Sequence, residues 1–160
     1  MMSSKEFFRS LLCCAVLITM SFAGCGTSVP ENLPVTVVVK SSSGEPMNMV
    51  KVKFIPQTKG LDGNFIATGV TDDDGMCMPT VPGNPETAGV PAGKHKVLVG
   101  EAPVSNEARA AEERGDQSLA RREKSSRKHR PIPPNYTRIL SSPIEAEVTK
   151  ENLEIELILE

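Results

Sequence analysis

The chain has no tryptophan, a single tyrosine (Tyr136) and only two histidines, His95 and His129. Aromatic residues make up 4% of its 160 residues, so any core is aliphatic, built from Val, Ile, Leu, Met and a few Phe. Neither histidine has a second histidine near it in sequence, which excludes paired-histidine metal motifs. Glycine-rich phosphate loops and nucleophile elbows are missing as well. A net charge of −2 gives no global field for nucleic acid or another polyanion. Thirteen prolines and twelve glycines argue against long uninterrupted helices and fit a loop-rich β protein. There is no evident disulfide framework either. Cys13 and Cys14 lie inside an apolar N-terminal run, Cys25 follows it, and Cys77 stands alone far downstream. Cys77 reads as a small buried apolar residue. The length fits one domain plus accessories.

What is present is alternation. In Met49 to Ile55, Val50, Val52 and Phe54 alternate with Lys51, Lys53 and Ile55. A period of two puts the first three on one face of a strand and the lysines on the other. Phe65 to Thr71 reads as a return strand, closed by the polar turn Asp72-Asp73-Asp74-Gly75. Val35 to Lys40 and Lys94 to Val99 add further strands, the latter with His95, Val97 and Val99 on one face. The Pro79 to Gly93 stretch, with four prolines and three glycines, reads as a loop. At the C-terminus, Ile144, Ala146 and Val148 alternate with acids, and so do Leu153, Ile155 and Leu157. These two runs predict a hairpin with one apolar and one acidic face. A sheet with one apolar face needs a second layer. The expected fold is all-β, a seven-stranded β-sandwich of immunoglobulin-like size.

Residues 101–130 break the pattern, with eight Lys/Arg against six Asp/Glu and Gly115 in the middle. Helix formers are there, but no apolar stripe recurs at helical spacing. The segment, bounded at 101–131, is expected to be a charged insertion that the fold does not need. It is either partly helical or disordered.

Residues 1–24 read as a targeting segment. Lys5 and Arg9 form a positive start, and Leu11 to Phe22 is an apolar run of about a dozen residues, short of the roughly 20 needed to span a bilayer. Phe22-Ala23-Gly24-Cys25 resembles the lipobox of bacterial lipoproteins, with Phe22 where Leu is usual. The resemblance implies lipid attachment at Cys25, a thioether to diacylglycerol and a further acyl chain such as palmitate on the freed amine. At ~0.8 kcal/mol per buried CH₂, two or more chains make a stable membrane anchor. An ordinary cleaved signal with a chance cysteine is the alternative. Residues 25–34 would be a lipidated tether, and residues 35–160 the domain. Gly26 in place of Asp, by the same resemblance, favours the outer membrane or its periplasmic face.

Four motifs come in an order similar to that of carboxypeptidase regulatory-like domains, a transthyretin-like sandwich. They are Gly44-Glu45-Pro46, Val52-Lys53-Phe54-Ile55-Pro56, Thr71-Asp72-Asp73-Asp74-Gly75 and Pro91-Ala92-Gly93-Lys94-His95-Lys96-Val97. Cys77 stands where an aromatic is usual and His95 where Tyr is usual. The tail segments Ile132-Pro133-Pro134-Asn135-Tyr136 and Ser142-Pro143-Ile144, with Asn152, resemble small planctomycete-type lipoproteins carrying this domain. The resemblance implies a fold and a location but no agreed activity.

Candidate chemistry is sparse, and no catalytic residue or cofactor is expected. A transthyretin-like hydrolase would need several histidines and a Tyr-Arg-Gly-Ser end, whereas this chain ends Leu157-Ile158-Leu159-Glu160. Asp72, Asp73 and Asp74 are the weak metal candidates, because Ca²⁺ takes six to eight oxygens and the turn offers several. The basic tract 121–130 carries six cations and one acid without interleaved aromatics, so base stacking and nucleic acid are not expected. The expected function is that of a noncatalytic envelope lipoprotein with a membrane on one side and an envelope protein or polysaccharide as partner. The alternative is a glycan- or Ca²⁺-dependent adhesion module using the loop ends.

Overall fold

A computed structural model describes residues 30–59, 61, 63–83, 88–128 and 131–160. In chain order the strands are β1 (Asn32–Leu33), β2 (Thr36–Ser41), β3 (Val50–Pro56), β4 (Ala67–Val70), β5 (Met76–Cys77), β6 (Val90–Pro91) and β7 (Gly93–Glu101). Helices α1 (Asn106–Glu113) and α2 (Ser118–Ser125) follow, then β8 (Glu145–Val148) and β9 (Glu154–Leu159). The fold is β-rich, with two short α-helices among the described residues. The expected signal, Cys25 and half of the expected tether lie outside them, as do His129 and Arg130.

A four-stranded antiparallel sheet runs β4-β3-β7-β8. Its register sets Val52 beside Val99 and Phe54 beside Val97. All four are fully buried on one face, as the alternation predicts. A three-stranded sheet runs β5-β2-β9. Its centre is a parallel pairing of β2 with β9, from Thr36 beside Glu154 to Ser41 beside Leu159. Val37, Val39, Ile155, Leu157 and Leu159 point inward from it and join the residues of the first sheet in one core. Burying a Val, Leu or Phe side chain contributes about 1.5–3 kcal/mol. The inward rows of these two sheets therefore supply most of what opposes chain entropy.

The predicted C-terminal hairpin does not form. Both strands exist, but β8 pairs with β7 and β9 with β2, in different sheets. The turn between them is closed by a bridge of Thr149 to Asn152 and by the Asn152 side-chain amide donating to the Glu147 carbonyl at 3.2 Å. Alternation fixes which face of a strand is buried and leaves its neighbour open, and here the two apolar faces are needed on different sheets.

Two boundaries also move. Asn32–Leu33 pairs with Val90–Pro91, so the end of the tether and part of the proline-rich loop belong to a small sheet of their own. Leu33 and Val35 are buried. In the Asp72–Gly75 turn, Gly75 has φ +74°, and a Cβ there would lie 2.7 Å from the Val39 carbonyl oxygen. The turn packs directly on β2, where the Val39 N–H donates to the Gly75 carbonyl at 2.8 Å. Only glycine satisfies both demands.

The insertion carries both α-helices, and it is packed. The Ser105 side-chain oxygen accepts the Ala108 N–H at 3.0 Å and caps α1. Gly115, at φ +88°, lies just past the end of α1, and its N–H reaches the Glu112 carbonyl at 2.9 Å. Ala108, Ala111 and Ala120 are buried between the helices and their surroundings. A seam of alanines replaces the stripe of large residues that the sequence lacks.

Candidate functional site

The outward face of the four-stranded sheet is the most site-like surface. The period that buries Val52 and Phe54 turns Lys51, Lys53 and Ile55 outward. Pairing sets Val70 and Gly100 on either side of Lys51, and Thr68 and Leu98 on either side of Lys53. Gly100 has no side chain to fill its place, and the nearest atom to a Cβ there would be Thr137 Cγ2 at 3.6 Å. Two adjoining clefts result, of about 270 and 480 Å³, both lined by Lys51, Lys53 and Leu98. One reaches Thr137, and the other extends past Ile55 to Asn64 and Pro82.

Charge on this face is unevenly matched. Lys96 pairs with Glu145 at 3.0 Å, and on the other sheet Lys40 pairs with Glu156 at 2.9 Å. Lys51 and Lys53 make no ion pair among the described residues, and the one carboxylate lining their cleft, Glu101, is paired with Arg127 at 2.9 Å. Two ammonium groups therefore flank a half-apolar floor. The sequence puts these lysines on an outer face, and the apolar Ile55 sharing that face was the signal for a cleft.

A third cleft, of about 410 Å³, lies between β8 and β9 and is acidic. Glu145, Glu147, Glu154 and Glu156 line it, together with Ile158. Both flanking strands lie at sheet edges.

The aspartate turn is committed to its own backbone. Asp72 Oδ1 accepts the N–H groups of Asp74 at 3.0 Å and Met76 at 2.9 Å, an Asx turn. Asp73 Oδ1 accepts from the Asn48 side-chain amide at 3.2 Å. Among the described residues no three His, Cys, Asp or Glu side chains converge as a metal site would require.

His95 points into the core and is 1% exposed. Its Nδ1 lies 3.0 Å from the Gly93 carbonyl, an acceptor only, so Nδ1 carries the proton and donates. Nε2 is buried without a partner, and the ring packs edge-on against Phe54 at 5.8 Å. Burial pushes the imidazole below its ordinary pKa, against a smaller opposite effect from Gly93. The Cys77 thiol is pushed up to about 11 by burial and then by the Asp72 carboxylate. It is a core thiol with little thiolate character.

The basic tract lies on α2 and just beyond it. Arg127 is held where the helices meet the sheet, donating to Glu101 Oε2 at 2.9 Å and to the Ala102 carbonyl at 2.7 Å. Lys124 lies 3.9 Å from Glu112, and Arg121 donates to Gln117 at 3.0 Å. Sequence reasoning missed Asn48, which is 4% exposed and bonds to Asp73, Ser126 and Lys128. Nothing local marks it, since two of those partners lie about eighty residues away.

Among the described residues no helix is long and apolar enough to cross a membrane. Comparison with family models, with curated proteins and with solved structures returned no match.

Proposed function

We propose that this chain is an exported, lipid-anchored lipoprotein. It presents a small noncatalytic β-sandwich, of the carboxypeptidase regulatory-like, transthyretin-like type, at a membrane surface. The observation that carries the reading is Cys25, placed directly after a dozen-residue apolar run and Ala23-Gly24. The sandwich reading is supported by the strand tally of the two main sheets, four and three, around one shared core. Among the described residues, the noncatalytic reading is supported by the fate of the one histidine and the one cysteine: the His95 imidazole is buried in the core, and the Cys77 thiol is held protonated. Six residues, 26–31, separate Cys25 from the small β1–β6 sheet that begins at Asn32. The domain would sit close to the lipid, its partner an envelope protein or polysaccharide.

The Ca²⁺-dependent adhesion reading gains nothing from the aspartate turn, whose Asp72 and Asp73 oxygens already accept hydrogen bonds. Calorimetric titration of the protein with Ca²⁺ and with envelope polysaccharides separates the two readings. Silence in both titrations, with an envelope protein recovered by crosslinking in native membranes, is the expected result. Saturable Ca²⁺ binding would favour the adhesion module.

A further inference from the structure

The outward faces of the two main sheets carry matching patterns of opposite charge. On β3 the outward row reads Lys51, Lys53, Ile55, and on β9 it reads Glu154, Glu156, Ile158. Both rows sit on strands with the same two-residue repeat, roughly 6.6–6.8 Å between successive outward side chains. Laid face to face in the same direction, they set Lys51 and Lys53 against Glu154 and against Glu156, which Lys40 of its own sheet already holds at 2.9 Å, and isoleucine against isoleucine. The neighbours agree with this arrangement. Leu98 and Val70 flank the lysines, while Val38 and Met76 lie beside the glutamate row. Val70, Met76 and Ile158 are 45%, 42% and 52% exposed, large apolar groups left in water on these two faces.

We infer that the outer face of the three-stranded sheet of one copy packs on the outer face of the four-stranded sheet of the next. The Lys51/Lys53 groove would receive the Glu154/Glu156 row of a second copy of this chain. The two surfaces are different, so the contact is heterologous and each added copy leaves one groove and one acidic row open. Copies therefore stack head to tail. The inference builds on the reading of this chain as an interaction domain and names its partner. That reading would survive the failure of this one, because a different envelope partner would still be recovered in native membranes.

The test uses the full chain in mild detergent. Carbodiimide joins an ammonium to a carboxylate in direct contact, and mixing ¹⁴N- and ¹⁵N-labelled protein marks links between copies. The expected links are Lys51 or Lys53 to Glu154 or Glu156, between copies. Sedimentation should show assembly that weakens as NaCl rises from about 0.1 M to about 1 M, where the screening length falls from about 10 Å to about 3 Å. The double variants Lys51→Glu/Lys53→Glu and Glu154→Lys/Glu156→Lys should each sediment as single copies. An equimolar mixture of the two should assemble again, since the intact groove of one variant meets the intact acidic row of the other and the two charge-reversed faces also complement each other. Single-copy sedimentation of the wild type without intermolecular links would overturn the inference. So would assembly that both variants leave unchanged.

Discussion

The Lys128 backbone N–H donates to the side-chain oxygen of Asn48 at 3.2 Å, across eighty residues of chain. The same amide group donates from its nitrogen to Asp73 at 3.2 Å and to the Ser126 carbonyl at 3.4 Å. One buried side chain thus ties the aspartate turn to the end of α2. Asn48→Ala removes these bonds together and is expected to cost about 1–3 kcal/mol, the range for stranding buried polar groups. Trypsin should then cut at Arg121 and Arg122 faster than in the wild type. An unchanged cleavage rate would show that the clamp does not hold the helices.

The helical segment divides by the same logic. Replacing 106–125 with a short linker removes two helices that bury mainly alanines, and the melting temperature should fall only slightly. Extending the deletion through Arg127 also removes its bonds to the exposed Glu101 carboxylate and to the part-buried Ala102 carbonyl. The longer deletion should melt several degrees lower. Equal melting temperatures would assign no role to Arg127.

Phe54 is fully buried, and Lys53 beside it faces outward. Phe54→Ala should cost about 3–5 kcal/mol by cavity formation, whereas Lys53→Ala should change stability by less than about 0.5 kcal/mol. Denaturant titration of the two variants decides it. Similar losses would mean that β3 packs differently.

His95 sets a pH dependence with a definite sign. Its pKa in the folded chain lies below the ordinary 6.5, so the unfolded chain binds the proton first as pH falls. The stability is fully present above about 6.5 and is lost progressively as pH drops below it toward the folded pKa. Denaturation midpoints between pH 7.5 and pH 5, as order-of-magnitude bounds on that window, should fall in the wild type. In His95→Phe, which keeps a ring against Phe54, they should stay flatter. The same slope in both proteins would remove His95 as the cause.

Cys77 supplies a probe of opening. A thiol with a pKa of about 11 and little exposure should resist alkylation in the folded protein and react at once in denaturant. Rapid native labelling at Cys77 would show that the edge strand β5 opens freely.

Much of the sheet could be read from the chain because burial on one face writes itself as alternation. Val50, Val52 and Phe54, and likewise His95, Val97 and Val99, are buried as their spacing requires. Neighbours were less legible. Nothing in Glu154 to Leu159 says that β9 runs parallel to β2, the first long strand, and not against β8. Alanine also carries too little apolar surface to stand out, so Ala108 and Ala111 hid the buried side of α1. The Lys51/Lys53 cleft was half visible: the lysines share a face by spacing, but Gly100 joins them only through pairing.

The lipid anchor at the N-terminus is tested most directly by mass spectrometry of the mature protein from its native membranes. The N-terminal peptide should begin at Cys25 and carry the mass of a diacylglyceryl thioether, and Cys25→Ser should accumulate as an unprocessed precursor. An N-terminus at any other residue, or an unmodified Cys25 thiol in the mature protein, would contradict the lipid anchor.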